Sequence, residues 1–215
     1  MKIKFCGITN LEDARDAIEL GVDYIGFVID FSKSPRAISL EKFINIVQNI
    51  KKKDNNFKIV AVTVNMPVKK IDRLLKIGLV DVLQFHGDET PEFCAEYKKQ
   101  IEVWKAFKPA GGFEKSYNEI EKFKGCIDKF LIDASSSEDK GKKKNKSFQD
   151  FELFKKLQQK KYPLILAGGL SLENVKDYVK KLNPAIIDAA SGIEKYSGKK
   201  DKVKMEKLLR NIFKI

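Results

Sequence analysis

Lys2-Ile3-Lys4-Phe5-Cys6-Gly7-Ile8-Thr9-Asn10 opens the chain with an apolar alternation that runs into a cysteine, a glycine and a helix-starting residue. The alternation has the two-residue period of a strand, and Asn10 carries a side-chain oxygen suited to cap a helix. Parallel α/β sheets open their ligand crevice at the carboxyl ends of their strands. Cys6 therefore stands where ligands bind, and Gly7 lets the backbone turn tightly beside it. A strand-end cysteine also serves as a small buried hydrophobe, and this stretch alone does not choose between the two.

The same unit recurs along the chain. Strands are expected at 3–6, 24–28, 59–64, 82–85, 103–106, 130–133, 164–167 and 185–188, with amphipathic helical patterns between them. Leu11, Ala14 and Ile18 form one helical face, with Asn10 as cap and Gly21 as stop. Leu40, Phe43, Ile44, Val47 and Ile50 form another behind Ser39, and Thr90-Pro91 and Ser171-Leu172 mark further helix starts. Val203, Leu208, Leu209 and Ile212 close the series. Eight strands, each followed by a helix, predict a single-domain (β/α)8 TIM barrel of the α/β class over residues 1–215. A doubly wound open sheet is the alternative, because local pattern carries no sign of closure.

Composition bounds the function. Hydrophobic residues make up 43% and charged residues 33% of the chain, the balance of a folded globular protein. No apolar run approaches the roughly 20 residues of a membrane span, and the chain enters a strand at once, with no expected signal peptide. Cys6, Cys94 and Cys126 form an odd set without metal-ligand spacing, and His86 is the sole histidine. These features predict a reduced cytoplasmic protein with neither disulfides nor a metal site. The net charge of +12 admits nucleic acid, a membrane surface or an anionic metabolite. The lysines are scattered over every helix, however, and the dense run at 140–146 has no aromatic residues interleaved for base stacking. Neither a nucleic-acid nor a membrane partner is expected.

In a barrel of this kind active sites lie at the strands' carboxyl ends, and phosphate sites commonly follow strands seven and eight. Gly168 and Gly169 follow the seventh expected strand, and Ser191 and Gly192 follow the eighth, where they would open a short extra helix. Together these loops favour a phosphate. Cys6 ends strand one and Asp133 ends strand six, so closure would place a thiol and a carboxyl on either side of the phosphate end of one ligand. Asp133 as a loop cap is the competing assignment. Arg36 after strand two offers a fork for a carboxylate, and His86 after strand four faces the same mouth.

The ordered motifs resemble the phosphoribosylanthranilate isomerase family along essentially the whole chain. They are Lys4-Phe5-Cys6-Gly7-Ile8-Thr9, Ser34-Pro35-Arg36-Ala37-Ile38-Ser39, Gln84-Phe85-His86-Gly87, Leu131-Ile132-Asp133, Ala167-Gly168-Gly169-Leu170, Asp188-Ala189-Ala190-Ser191-Gly192-Ile193-Glu194 and Gly198-Lys199-Lys200-Asp201. The resemblance implies that Cys6 is the general base, Asp133 the general acid and Arg36 the clamp on the anthranilate carboxylate. It makes the Gly168-Gly169 and Ser191-Gly192 loops the phosphate cradle, and it adds His86 and Asp188 to the substrate-binding set. The family reaction is an Amadori rearrangement in tryptophan biosynthesis that needs no metal or organic cofactor. A monomer acting on a small sugar phosphate is expected. One loop departs: the family's glycine-rich stretch after strand six is here serine- and lysine-rich over 135–147, and is expected to lie over the active site. A metal-dependent epimerase would want several histidines, and a Schiff-base aldolase would want a strand-end lysine, for which Lys105 is the candidate.

Overall fold

The computed structural model describes residues 1–51, 56–133 and 148–213, with 148–150 as backbone only. The departing loop 135–147, with its lysine-rich run 140–146, lies outside the described residues. Among the described residues eight parallel strands form the barrel: β1 (Lys2–Cys6), β2 (Tyr24–Ile29), β3 (Lys58–Thr63), β4 (Val82–Phe85), β5 (Glu102–Phe107), β6 (Lys129–Asp133), β7 (Leu164–Ala167) and β8 (Ile186–Ala189), and the two residues Ala37–Ile38 add a short ninth strand beside the end of β2. β1 pairs with β2 through Lys4↔Tyr24 and Cys6↔Gly26, and with β8 through Lys4↔Asp188 and Phe5↔Ala189. That double pairing closes the barrel and excludes the open sheet.

Among the described residues eight α-helices alternate with the barrel strands: α1 (Leu11–Glu19), α2 (Leu40–Ile50), α3 (Val68–Lys76), α4 (Pro91–Lys98), α5 (Phe113–Glu121), α6 (Phe148–Gln159), α7 (Val175–Leu182) and α8 (Lys202–Phe213). The cap chemistry explains several starts. Asn10 accepts from the Asp13 amide, Ser39 from Lys42, and Thr90 from Phe93 with Pro91 in the first turn. Ser171 is an exception. Its Oγ accepts from the Glu173 amide and makes a local turn, so α7 begins only at Val175. The expected extra helix after strand eight is a single 3₁₀ turn, Ser191–Ile193, followed by an antiparallel hairpin of Glu194–Tyr196 with Lys199–Lys200. The eighth strand also sits one residue later than expected, and Val203 is exposed because α8 turns Met205 and Leu208 inward instead.

The two-residue period of the strands divides the apolar residues into two layers. One side, including Ile3, Phe5, Ile25 and Phe27, packs against the helices, as in the edge-to-face contact of Phe27 with Phe43 at 5.3 Å. The other fills the barrel interior, with Tyr24, Val60, Val82, Trp104, Leu131 and Ile165. Below this interior layer Glu102 accepts from Lys58 Nζ at 2.7 Å, Trp104 Nε1 at 2.8 Å and Lys129 Nζ. Burial alone would raise the Glu102 carboxyl, but those three donors bring it down to about 2. No helix among the described residues is long and apolar enough to cross a membrane.

Candidate active site

A cavity of about 510 Å³ opens at the carboxyl ends of the strands. Cys6, Arg36, His86, Asp133, Gly168, Gly169, Asp188 and Ser191 all line it, contributed by six different strand ends and loops. Gly192 does not line it. A methyl group on Gly192 would stand 1.9 Å from the carbonyl oxygen of Leu170, so this glycine lets the loop after β8 press against the loop after β7. Asn174 ties the second loop down, donating from Nδ2 to the Gly169 carbonyl at 2.8 Å and accepting the Ser171 amide at 2.9 Å. Gly168 and Gly169 sit within that fastened turn with φ of 85° and 58°.

Cys6 is nearly buried on the wall formed by β1. Lys4, two residues earlier on the same face of the strand, is fully buried and donates to Asp188 Oδ2 at 2.7 Å. Asp188 Oδ1 is buried without a hydrogen-bond partner, although the residue borders the cavity. Burial pushes the Cys6 thiol above its ordinary range, whereas Lys4 pulls it back; Asp188 adds to the upward push and Lys200 opposes it. Burial works against the Lys4 cation as well, but Asp188 and Cys6 more than reverse it and leave its pKa raised.

Arg36 lies across Gly7, where a methyl group would come within 2.6 Å of its Cδ. Its guanidinium donates to Glu194 through Nε and Nη2, both at 2.7 Å, and Lys200 Nζ donates to the same carboxylate at 2.9 Å. Glu194 is thereby held below the usual carboxylate range although its burial alone would raise it. Across the cavity His86 Nε2 stands 3.6 Å from Asp133 Oδ2. Gln84 Nε2 lies 3.3 Å from His86 Nδ1, and with that amide as donor the ring carries its proton on Nε2, facing the carboxylate. Lys105 stands elsewhere. Its ammonium donates to the Gly87 carbonyl at 2.6 Å and pairs with Glu89 at 3.4 Å, outside the walls of this cavity, so it serves no imine there.

The family model described as N-(5'phosphoribosyl)anthranilate (PRA) isomerase matches residues 3–211. The chain belongs to the N-(5'-phosphoribosyl)anthranilate isomerase family. The N-(5'-phosphoribosyl)anthranilate isomerase of Aquifex aeolicus (strain VF5) is 38% identical over 215 residues, which cover 98% of this chain and 97% of that protein. The phosphoribosyl anthranilate isomerase of Thermotoga maritima superposes with a TM-score of 0.86 at 30% identity, covering all of both chains. A phosphoribosyl anthranilate isomerase solved in complex with reduced 1-(o-carboxyphenylamino)-1-deoxyribulose 5-phosphate superposes at 0.84 with 29% identity, again over the whole of both chains.

Three polar groups of this isomerase fold carry more of the site than their sequence context advertises. Glu194 and Lys200 stand in motifs whose order along the chain says nothing of their role, yet they hold Arg36 from behind. Gln84, with its amide nitrogen on His86, has a buried Oε1 without a hydrogen-bond partner. The signal for Gln84 was its alternation: as the inward neighbour of the inward Val82, it had to enter the barrel.

Proposed function

We propose that the chain converts N-(5'-phosphoribosyl)anthranilate to 1-(2-carboxyphenylamino)-1-deoxyribulose 5-phosphate by general acid–base catalysis. The observation that carries this assignment is the placement of Cys6 and Asp133 on one cavity, with the Gly168-Gly169 loop on its rim as well. A ligand whose phosphate sits at that loop and at Ser191 presents its sugar to the thiol and the carboxyl together.

The chemistry follows from what each group can give. Asp133, protonated, donates to the furanose ring oxygen as the C1–O bond breaks, and the anthranilate nitrogen lone pair makes the iminium. The iminium acidifies C2, and Cys6 as thiolate removes that proton, leaving an enolamine. The enolamine then takes a proton at C1 and loses the C2 hydroxyl proton to become the ketone. Asp188 Oδ1 is the carboxylate oxygen suited to accept from a sugar hydroxyl, since its burial without a hydrogen-bond partner is otherwise unfavourable. His86 Nε2 stands beside Asp133 at 3.6 Å, within reach of the same ligand, and Arg36 takes the anthranilate carboxylate with the N–H groups that Glu194 does not use.

The three described cysteines are free thiols, which suits a reduced cytoplasmic setting. Freshly made phosphoribosylanthranilate, followed by loss of its fluorescence with and without the protein, tests the assignment. Decay no faster with the protein than without it would remove it.

A further inference from the structure

Lys4 is fully buried in the barrel wall, and a buried ammonium demands a partner. Asp188 Oδ2 supplies one at 2.7 Å. A lysine–aspartate pair stitching β1 to β8 would account for that contact and nothing more. Two further features point to the thiol. β2 places Gly26 opposite Cys6, and a methyl group there would lie 2.9 Å from Cys6 Sγ and 3.1 Å from Lys4 Nζ. The sulfur and the ammonium therefore crowd the space that a side chain on β2 would have filled. An ammonium also has three N–H donors, and the Asp188 bond uses one of them.

We propose that Lys4 is the positioning residue of Cys6, its ammonium held by Asp188 so that it stabilises the sulfur as thiolate and fixes it below the cavity. The inference rests on the assignment of Cys6 as the base. The charged groups facing the sulfur are Lys4 from β1, Asp188 from β8, Lys200 from the hairpin and Arg36 from the loop after β2. Lys200 donates to Glu194 and to the Ala190 carbonyl, and Arg36 is engaged with Glu194. Lys4 is thus the cation whose geometry serves the thiol directly. During the reaction the thiolate electron pair forms the S–H bond with the C2 proton, and the C2–H pair moves toward the iminium nitrogen. Lys4 keeps its own protons throughout, and its charge passes from balancing the thiolate to balancing Asp188 alone.

The test reads the thiol rather than turnover. Iodoacetamide alkylation of Cys6 is followed over about pH 7 to 11, in a protein whose partly exposed Cys126 is replaced by serine. Lys4→Met raises the alkylation midpoint by about one pH unit or more, and slows the reaction about tenfold near neutrality, because an adjacent opposite charge shifts a pKa by that order. Lys4→Met leaves Asp188 buried without its cation, so the same comparison is made between Asp188→Asn and the Lys4→Met/Asp188→Asn double variant, where no carboxylate is stranded. A rise in midpoint on losing Lys4 in the second pair supports the proposal, and the first pair decides in the same way where those variants do not fold. An unchanged midpoint in the second pair overturns it and returns Lys4 to strand-stitching. Near-normal turnover in Cys6→Ala would instead overturn the base assignment, and the alkylation result would stand apart from it.

Discussion

Arg36 and Glu194 lie 158 positions apart in the chain and meet in two parallel hydrogen bonds of 2.7 Å, fork to fork. The pair fixes the plane of the guanidinium as well as its position, because both carboxylate oxygens are engaged. Lys200, buried at the base of the hairpin, adds a third donor to the same carboxylate. What remains of the Arg36 fork faces the cavity it lines.

Replacing Arg36 by alanine weakens binding of a carboxylate-bearing product analogue by about 10- to 100-fold, the worth of a charge-assisted hydrogen bond of about 1.5–3 kcal/mol. Arg36→Lys keeps the charge without the fork and recovers little. Calorimetric titration with an analogue and its decarboxylated counterpart separates the effect. Equal losses for both ligands would show that Arg36 does not read the carboxylate.

On the proposed assignment Cys6→Ala and Asp133→Asn each lower kcat by about 10²–10⁴, with modest changes in KM, because each would remove a proton-transfer partner rather than a binding contact. Cys6→Ser retains a trace of activity that climbs with pH less readily than in the parent. Steady-state kinetics on folded variants checks both statements. If Asp133→Asn turned over at the parent rate, the ring oxygen would need another acid.

Gly192→Ala places a methyl carbon 1.9 Å from the Leu170 carbonyl oxygen, backbone against backbone, so one of the two loops must move. The affinity for inorganic phosphate and for phosphorylated ligands falls, whereas binding of anthranilate itself is little changed. Fluorescence titration with each ligand measures the split. Loss of both affinities together would mean that the cradle and the aromatic side of the site are a single unit.

Glu102 supplies a pH-dependent share of stability. Its carboxyl lies at about 2 in the folded chain against an ordinary 4.5, so the stabilisation is present above 4.5 and is lost as pH falls from there toward 2. For a side chain that keeps 19% of its exposure the effect is about 2 kcal/mol after screening. Urea unfolding at neutral pH and at about pH 3 shows the slope, and Glu102→Gln removes it together with part of the neutral-pH stability. Parallel acid curves for parent and variant would place the acid sensitivity elsewhere.

The alternating and helical periods of the sequence carried the barrel because they report one face of each element at a time, and all eight strands fall close to where those periods put them. Closure was beyond them: it depends on β1 accepting β2 on one edge and β8 on the other, a pairing across the whole chain. Local chemistry misled at Ser171, where a hydroxyl that caps helices elsewhere closes a turn three residues early. The eight residues now found around one cavity were chosen by strand-end position and motif. Gly192 has the same strand-end position but does not line the cavity, and its lack of a side chain lets its loop press against Leu170. The support behind the site was not visible, because Glu194, Lys200 and Asn174 act through partners distant in sequence or through a backbone carbonyl.

The lateral neighbours of β1 impose an order on biosynthesis. One edge is covered as soon as β2 has been made, but the other waits for residues 186–189, and so does the anion that Lys4 needs. At the ribosome's pace of about 5–20 residues per second, that wait lasts about 8–32 s. Throughout it the nascent chain carries an open strand edge beside an unneutralised ammonium. A lysine in that strand discourages another chain from pairing there, so the charge that later sits beneath the thiol first acts as a guard against mispairing during translation.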